Sequence, residues 1–303
     1  MKHEKVNFSP SRFSQLKNCK WSYYLQRMEY LYPRDKVIEK HSQLGSAMHH
    51  FAENYTSNCD KQKLHEECLN KYVLEDSQID ELLHMENTLI DNIFPILSGD
   101  TGEFEVEEYF NELNMTNNLI IDMDEEEKYS VGLNLKIDRL IKTKDGRVII
   151  LDYKKGKPSI QKHMFQLLFY ANAYSQHYRV PFNKIELWLV FPNEKKDWIQ
   201  RISGSDLIDE LPDFRKELSR LLKEHQDVKT NGAVPEDANP SFLCNFCDYN
   251  ATDFCPMTLM LSGNKFPKNV ERVFTSTQYV NGTRVQKIIK PKEIISSSKA
   301  NLW

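Results

Sequence analysis

The strongest constraint on this chain lies between Val131 and Lys157, VGLNLKIDRLIKTKDGRVIILDYKKGK, where two strand-like runs flank an Asp145-Gly146 pair. Side chains of a strand alternate between its faces, so Leu135, Ile137 and Arg139 fall on one side of the first run and Lys136, Asp138 and Leu140 on the other. Gly146 readily takes the positive φ that a tight hairpin needs. The second run, Arg147 to Tyr153, holds consecutive β-branched and apolar residues, which predicts burial on both faces. It ends in Asp152-Tyr153-Lys154, putting a carboxylate and an ammonium two residues apart on one side of the strand, with Asp138 across the hairpin. Two converging carboxylates repel. A hard divalent cation relieves that repulsion and supplies the Lewis acid that phosphodiester cleavage requires. Lys154 would then orient or deprotonate water and stabilise charge on the phosphoryl oxygens. The competing reading is a set of surface ion pairs flanking a turn.

The rest of the chain is arranged around this hairpin. Ser9-Pro10 predicts a helix start, with Ser9 as N-cap and Pro10 at the first helical position, and the helix carries Phe13, Leu16, Cys19, Tyr23 and Tyr24 along one face. A polar linker from Pro33 to His41 leads to a helix with Leu44, Met48, Phe51 and Tyr55 at helical spacing. His49 and Glu53 lie one turn apart on an adjacent face of it, and His49 is a candidate metal ligand or a partly buried structural imidazole. Two further helical segments occupy 61–97, where Cys59 and Cys68 read as thiols without a function. A strand from Phe104 is expected to turn at Asn117-Asn118, followed by a solvated acidic loop from Asp122 to Glu127. After the hairpin come a helix over 160–178, on which Gln166 and Tyr170 lie one turn apart, then a strand ending at Pro192 and a short one at Trp198 to Ile202. A long helix over 205–229 follows.

Near the C-terminus Cys244, Cys247 and Cys255 form a Cys-x2-Cys-x7-Cys arrangement, the tight spacing in which thiolates bind one metal centre. Three thiolates want a fourth, and Cys19 is the candidate, closing a loop of more than 200 residues. A cluster or zinc, with the same ligands or with a histidine as the fourth, both satisfy this pattern. Beyond Leu261 the sequence turns basic and polar, which predicts a poorly ordered tail or an arm with weak phosphate affinity.

Composition narrows the choices. With 40 Lys and Arg against 44 Asp and Glu the net charge is -4, so the molecule is no basic nucleic-acid coat, and any basic groove is local. No run of 18 apolar residues and no apolar leader occurs, which predicts a soluble cytoplasmic protein with no membrane partner. Six cysteines in a chain this long suit a reducing compartment and metal ligation. No GxxxxGK[ST] phosphate loop is present, so any unwinding would fall to a partner.

Taken together, FSPSRFSQLKNCKWSYYL, LGSAMHHFAE, KIDRL, ILDYKKGK, QLLFYANAY and the cysteine triad resemble a RecB-type nuclease of the PD-(D/E)XK superfamily, and more closely its iron-sulfur branch. That branch includes the AddB nuclease domain and the CRISPR-associated spacer-acquisition exonucleases. The resemblance implies an α/β fold with a restriction-endonuclease-like core, a mixed central sheet with flanking helices, plus an N-terminal helical elaboration and a C-terminal cysteine region. The corresponding segments are 1–100, 101–230 for the nuclease core, 231–262 for the cysteines and 263–303 for the basic tail. It further implies a metal-dependent DNA nuclease, an exonuclease on single strands or duplex ends. His49, Asp138, Asp152 and the Tyr153 carbonyl would hold Mg2+ or Mn2+, Lys154 would be the catalytic lysine, and Gln166 and Tyr170 would lie near the scissile phosphate. Cys19, Cys244, Cys247 and Cys255 would hold a structural 4Fe-4S cluster, with zinc as the alternative. A helicase, recombinase or integrase partner fits this picture, and so does a non-catalytic DNA-binding subunit of such a complex. Leu135 replaces a frequent glycine before the Ile-Asp pair, and Lys155 a frequent threonine; neither change removes a catalytic group.

Overall fold

A computed structural model describes residues 6–27, 40–122, 128–239, 247, 249, 255, 274–280 and 283–289. The hairpin forms as its residues dictate: β3, Lys128–Thr143, pairs antiparallel with β4, Val148–Tyr153, with Arg139 opposite Leu151. Gly146 sits at φ 81° in the connecting turn, where the Gly146 N-H donates to Thr143 O at 2.9 Å. All six residues of β4 are buried, as a run apolar on both faces requires.

Around the hairpin lies a six-stranded mixed sheet. Its order is β1 (Val6–Phe8), β3, β4, β5 (Ile185–Val190) and β6 (Ile199–Ser203), with β2 (Val106–Asp122) on the other edge of β3. β4 and β5 run parallel, joined by α7, Ile160–Tyr178, the crossover that a parallel pair needs. β3 carries a fork. β2 lines one of its edges throughout, whereas the other edge pairs with β1 over Val131 to Leu133 and with β4 only from Arg139 onward. Asp138 stands at that fork. Opposite it, Glu112 of β2 adopts φ 51°, a left-handed conformation that costs a non-glycine residue energy, and it lies between the paired Asn111 and Leu113.

Helices α3 (Lys40–Asn54), α4 (Lys61–Lys71) and α5 (Asp76–Thr88) bury Leu44, Met48, Phe51, Leu64, Leu82 and Met85 against Ile141, Ile149, Leu151, Tyr153 and Trp188 of the sheet. A π-helical turn, Leu89–Ile93, and the short α6, Phe94–Leu97, complete this layer. Alternation leaves Val148, Ile150 and Asp152 for the opposite side of β4, where α7 packs. Phe165 and Phe169 of α7 meet Phe214 of the long α8, Leu211–Asn231, with ring centres 5.2 and 6.1 Å apart.

Contacts divide the chain into two compact units, one of Met1–Pro10 and Ile38–Ser219, the other of Ser11–Val37 and Arg220–Trp303. The second joins α1 (Pro10–Asn18) and α2 (Lys20–Arg27) to the end of α8: Lys20 Nζ pairs with Asp227 at 2.8 Å and Tyr23 OH meets His225 Nδ1 at 2.8 Å. Sequence order therefore misstates the grouping, because the first helices pack with the C-terminal segment.

Several local expectations are corrected. No turn occurs at Asn117-Asn118; β2 runs through both, opposite Leu133 and Gly132, because the long partner strand satisfies their backbone groups. The N-terminal helix breaks at Cys19, and the long helix begins at Leu211, with turns before it. Within the basic tail, β7 (Phe274–Val280) and β8 (Thr283–Ile289) pair as a hairpin. The linker from Pro33 to 39 and the acidic residues 123–127 lie outside the described residues.

Candidate active site

The carboxyl ends of β4 and β5 and the fork in β3 meet at one place, the kind of strand-end crevice where open α/β sheets bind ligands. Lys154 is fixed there by its own backbone, whose N-H donates to Val190 O at 2.7 Å. The Tyr153 N-H donates to Asp138 Oδ2 at 2.8 Å, so the Asp138 carboxylate stands across from Asp152. At the fork His49 of α3 reaches the same oxygen, with Nδ1 3.4 Å from Asp138 Oδ2, and its ring meets Tyr153 edge-on at 6.0 Å.

Gln166 and Tyr170 of α7 complete the cluster in one directional chain. Lys154 Nζ donates to Gln166 Oε1 at 3.0 Å, which turns the amide nitrogen toward Asp152 Oδ1 at 3.2 Å and Tyr170 OH at 2.7 Å. Tyr170 in turn donates to Lys136 O at 3.0 Å. The amide spends both N-H groups, so its orientation is settled by its partners. Lys154 Nζ also lies 2.5 Å from Asp152 Oδ2, so the ammonium bridges the buried carboxylate and the Gln166 amide.

Electrostatics follow from burial. Asp152 is 3% exposed, and burial pushes its pKa up to about 6 although Lys154 pulls it down; the Asp138 charge adds to the rise. For His49 burial works the other way, and the hydrogen bond and charge of Asp138, with Asp152, outweigh it and raise the pKa. Burial raises Tyr170 and pushes Tyr153 up to about 12, so both phenols stay protonated.

Among the described residues no three His, Cys, Asp or Glu side chains stand close enough together to form a finished metal cage. The donor set nevertheless fits a hard divalent cation by its chemistry: an imidazole, two carboxylates, one of them 3% exposed, and the Tyr153 carbonyl.

Asn111 lies outside every motif, and Arg139, although part of KIDRL, has a role that the motif itself does not state. Arg139, 7% exposed, donates from Nε to Asn111 Oδ1 at 2.7 Å and from Nη2 to Ala52 O at 2.9 Å, while Asn111 Nδ2 donates to Glu53 O at 2.8 Å. Ala52 and Glu53 lie in the last turn of α3, whose carbonyls have no intrahelical donors. The pair thus caps the helix that carries His49. The signal available in the sequence was Asn111, an amide in the middle of a strand, where it needs a partner.

In the second unit the Ser22 N-H approaches Cys19 Sγ at 3.4 Å and Ser22 Oγ lies 3.4 Å from Cys247 Sγ. Both sulfurs therefore converge on one serine. Cys255 is buried, and Cys244 lies outside the described residues.

Comparison with known proteins bears on the family of the chain. Residues 7–256 match the PD-(D/E)XK nuclease superfamily. No curated protein matches the chain. A solved structure described as "Crystal structure of SSO0001" is similar over 86% of this chain and 90% of its own, at 14% identity and a TM-score of 0.38, too loose a likeness to bear on the site. On the superfamily match, which covers most of its length, and with the restriction-endonuclease-like mixed sheet, the chain belongs to the PD-(D/E)XK nuclease superfamily.

Proposed function

We propose that the chain is a Mg2+- or Mn2+-dependent DNA nuclease that hydrolyses phosphodiester bonds from single-stranded or duplex ends. The observation that carries this reading is the buried Asp152 carboxylate facing Asp138, with Lys154 held beside it by Gln166 in a superfamily nuclease. His49, Asp138, Asp152 and the Tyr153 carbonyl hold the cation. When bound, it supplies Lewis-acid polarisation of the phosphate and lowers the pKa of water. Lys154 presents a fixed ammonium to the attacking water and to the charge that grows on the phosphoryl oxygens. Gln166 accepts a second hydrogen bond from that ammonium, and its own bonds to Asp152 and Tyr170 hold the amide in one orientation.

A structural 4Fe-4S cluster on Cys19, Cys244, Cys247 and Cys255 fits the convergence of Cys19 and Cys247 on Ser22. It would put the chain in the iron-sulfur branch related to AddB and the spacer-acquisition exonucleases, with a helicase, recombinase or integrase as partner. Zinc on the same ligands is distinguished by colour, since only the cluster absorbs near 400 nm.

The test is cleavage of end-labelled single-stranded and duplex DNA by anaerobically purified protein with Mg2+, Mn2+ or EDTA, beside Lys154→Ala. Metal-dependent products that the variant fails to make are expected. Equal cleavage by Lys154→Ala would remove the mechanism.

A further inference from the structure

A cavity of about 820 Å3 opens beside the candidate active site, with His49 and Asp138 in its wall. The same wall continues through His50, Lys71 and Tyr72, residues that the proposed chemistry does not use. Lys71 closes α4, and Tyr72 follows it in extended conformation, half-buried with one part of its ring against the core. Lys71 Nζ lies 3.2 Å from His50 Nδ1 and 5.5 Å from the centre of the Tyr72 ring, while the His50 ring meets Tyr72 edge-on at 5.9 Å.

The donor bookkeeping of this cluster is one-sided. His50 Nδ1 faces both the Lys71 ammonium and, at 3.3 Å, the Asn54 amide nitrogen, so it accepts, and the imidazole proton sits on Nε2. Nε2 and the remaining Lys71 N-H groups are then donors only. Lys71 has no carboxylate within ion-pair distance among the described residues. By contrast, the two glutamates of the same wall, Glu53 and Glu112, are both paired with Lys136. Glu53 and Glu112 share that one lysine and Asp138 adds a third carboxylate, so the acidic part of the wall lies on that side, and the other side presents the Lys71 ammonium, the His50 donor and an aromatic ring next to the residues expected to act on a phosphodiester. Together they match a nucleotide, whose phosphate takes donors and whose base takes a ring.

We propose that Lys71, His50 and Tyr72 form the subsite for the nucleotide adjoining the scissile phosphate, with a phosphate oxygen on Lys71 and His50 Nε2 and the base stacked on Tyr72. This rests on the nuclease reading above and narrows its substrate. A base inside a duplex already has both faces stacked, so the subsite selects an unpaired strand.

The decisive measurement is binding of fluorescent oligo-dT in EDTA, which needs no hydrolysis, to the wild-type chain, Tyr72→Ala, Tyr72→Phe and Lys71→Ala. Tyr72→Ala is expected to weaken binding roughly 5- to 100-fold, in line with the loss of one base stack. Tyr72→Phe keeps the ring and should bind as the wild type does. Lys71→Ala should reduce the slope of log affinity against log salt by about one contact. Unchanged oligo-dT affinity and salt slope in the variants, an equal loss with blunt duplex, or absence of wild-type binding would each overturn the subsite. Wild-type binding that is weakened by Tyr72→Ala, in a chain that hydrolyses nothing, would overturn the nuclease reading and leave the subsite standing.

Discussion

The carboxylate of Asp152 is buried at the end of β4 beside Gln166 of α7, and its pKa rises from 3.8 to about 6. The folded chain therefore holds the Asp152 proton more tightly than the unfolded chain does. Its contribution to stability is favourable below the unfolded value and is lost as pH rises through about 6, so at pH 7 the ionised side chain is a net cost. Asp152→Asn removes that charge with little change of shape. In EDTA at pH 7 the variant should unfold later than the wild type, by roughly 1–3 kcal/mol, while losing nuclease activity. Added Mn2+ should raise the wild-type unfolding midpoint and leave that of the variant unmoved. A variant less stable than wild type in EDTA would show that the carboxylate is held by favourable contacts instead.

At the scale of elements, helix α3 brings His49 to the sheet, and its end is tied down by Arg139 and Asn111. These are hydrogen bonds between a buried guanidinium, an amide and carbonyls that no other helix residue can satisfy. Asn111→Ala leaves the Arg139 Nε and the Glu53 carbonyl short of a partner, which should cost about 1–3 kcal/mol in urea unfolding. Because His49 lies one turn before the clamp, the same change should also lower Mn2+ affinity in calorimetry. Stability lost with Mn2+ affinity intact would mean that the clamp supports the fold without positioning the imidazole. Glu112 of β2 belongs to the same region, and its left-handed backbone is tolerated where the strand passes Asp138.

For the whole molecule, the relevant fact is that α1 and α2 belong with the C-terminal segment, across more than 200 intervening residues. Bringing such distant ends together carries a loop-closure cost that grows only slowly with length, and the metal centre proposed on Cys19 and the C-terminal cysteines would offset it by roughly several kcal/mol. Cys19→Ala should bleach the absorption near 400 nm and lower the unfolding midpoint of the anaerobic protein. A band that survives the substitution would mean that Cys19 is not the fourth ligand. The net charge of -4 sets a second whole-molecule limit: attraction for DNA has to come from local cations such as Lys71 and Lys154.

Much of the core was legible in the residues alone. The β-branched run of β4, the Asp145-Gly146 turn, the crossover helix over 160–178 and the strand before Pro192 all formed where their periodicity placed them, since alternation and helical spacing are local properties of the chain. The facing of Asp138 and Asp152 followed from the hairpin as well, because a turn sets the register of the strands it joins. The Asn117-Asn118 turn failed because a long partner strand outweighed turn propensity, and Arg139 escaped notice because a strand arginine is usually solvated. The residues by themselves determined which side chains share a strand or a helical face. Only the tertiary structure decided that His49 meets Asp138 at the fork, that Arg139 caps α3 and that Cys19 joins Cys247 at Ser22, because those meetings depend on how whole elements pack across distances that no local pattern encodes.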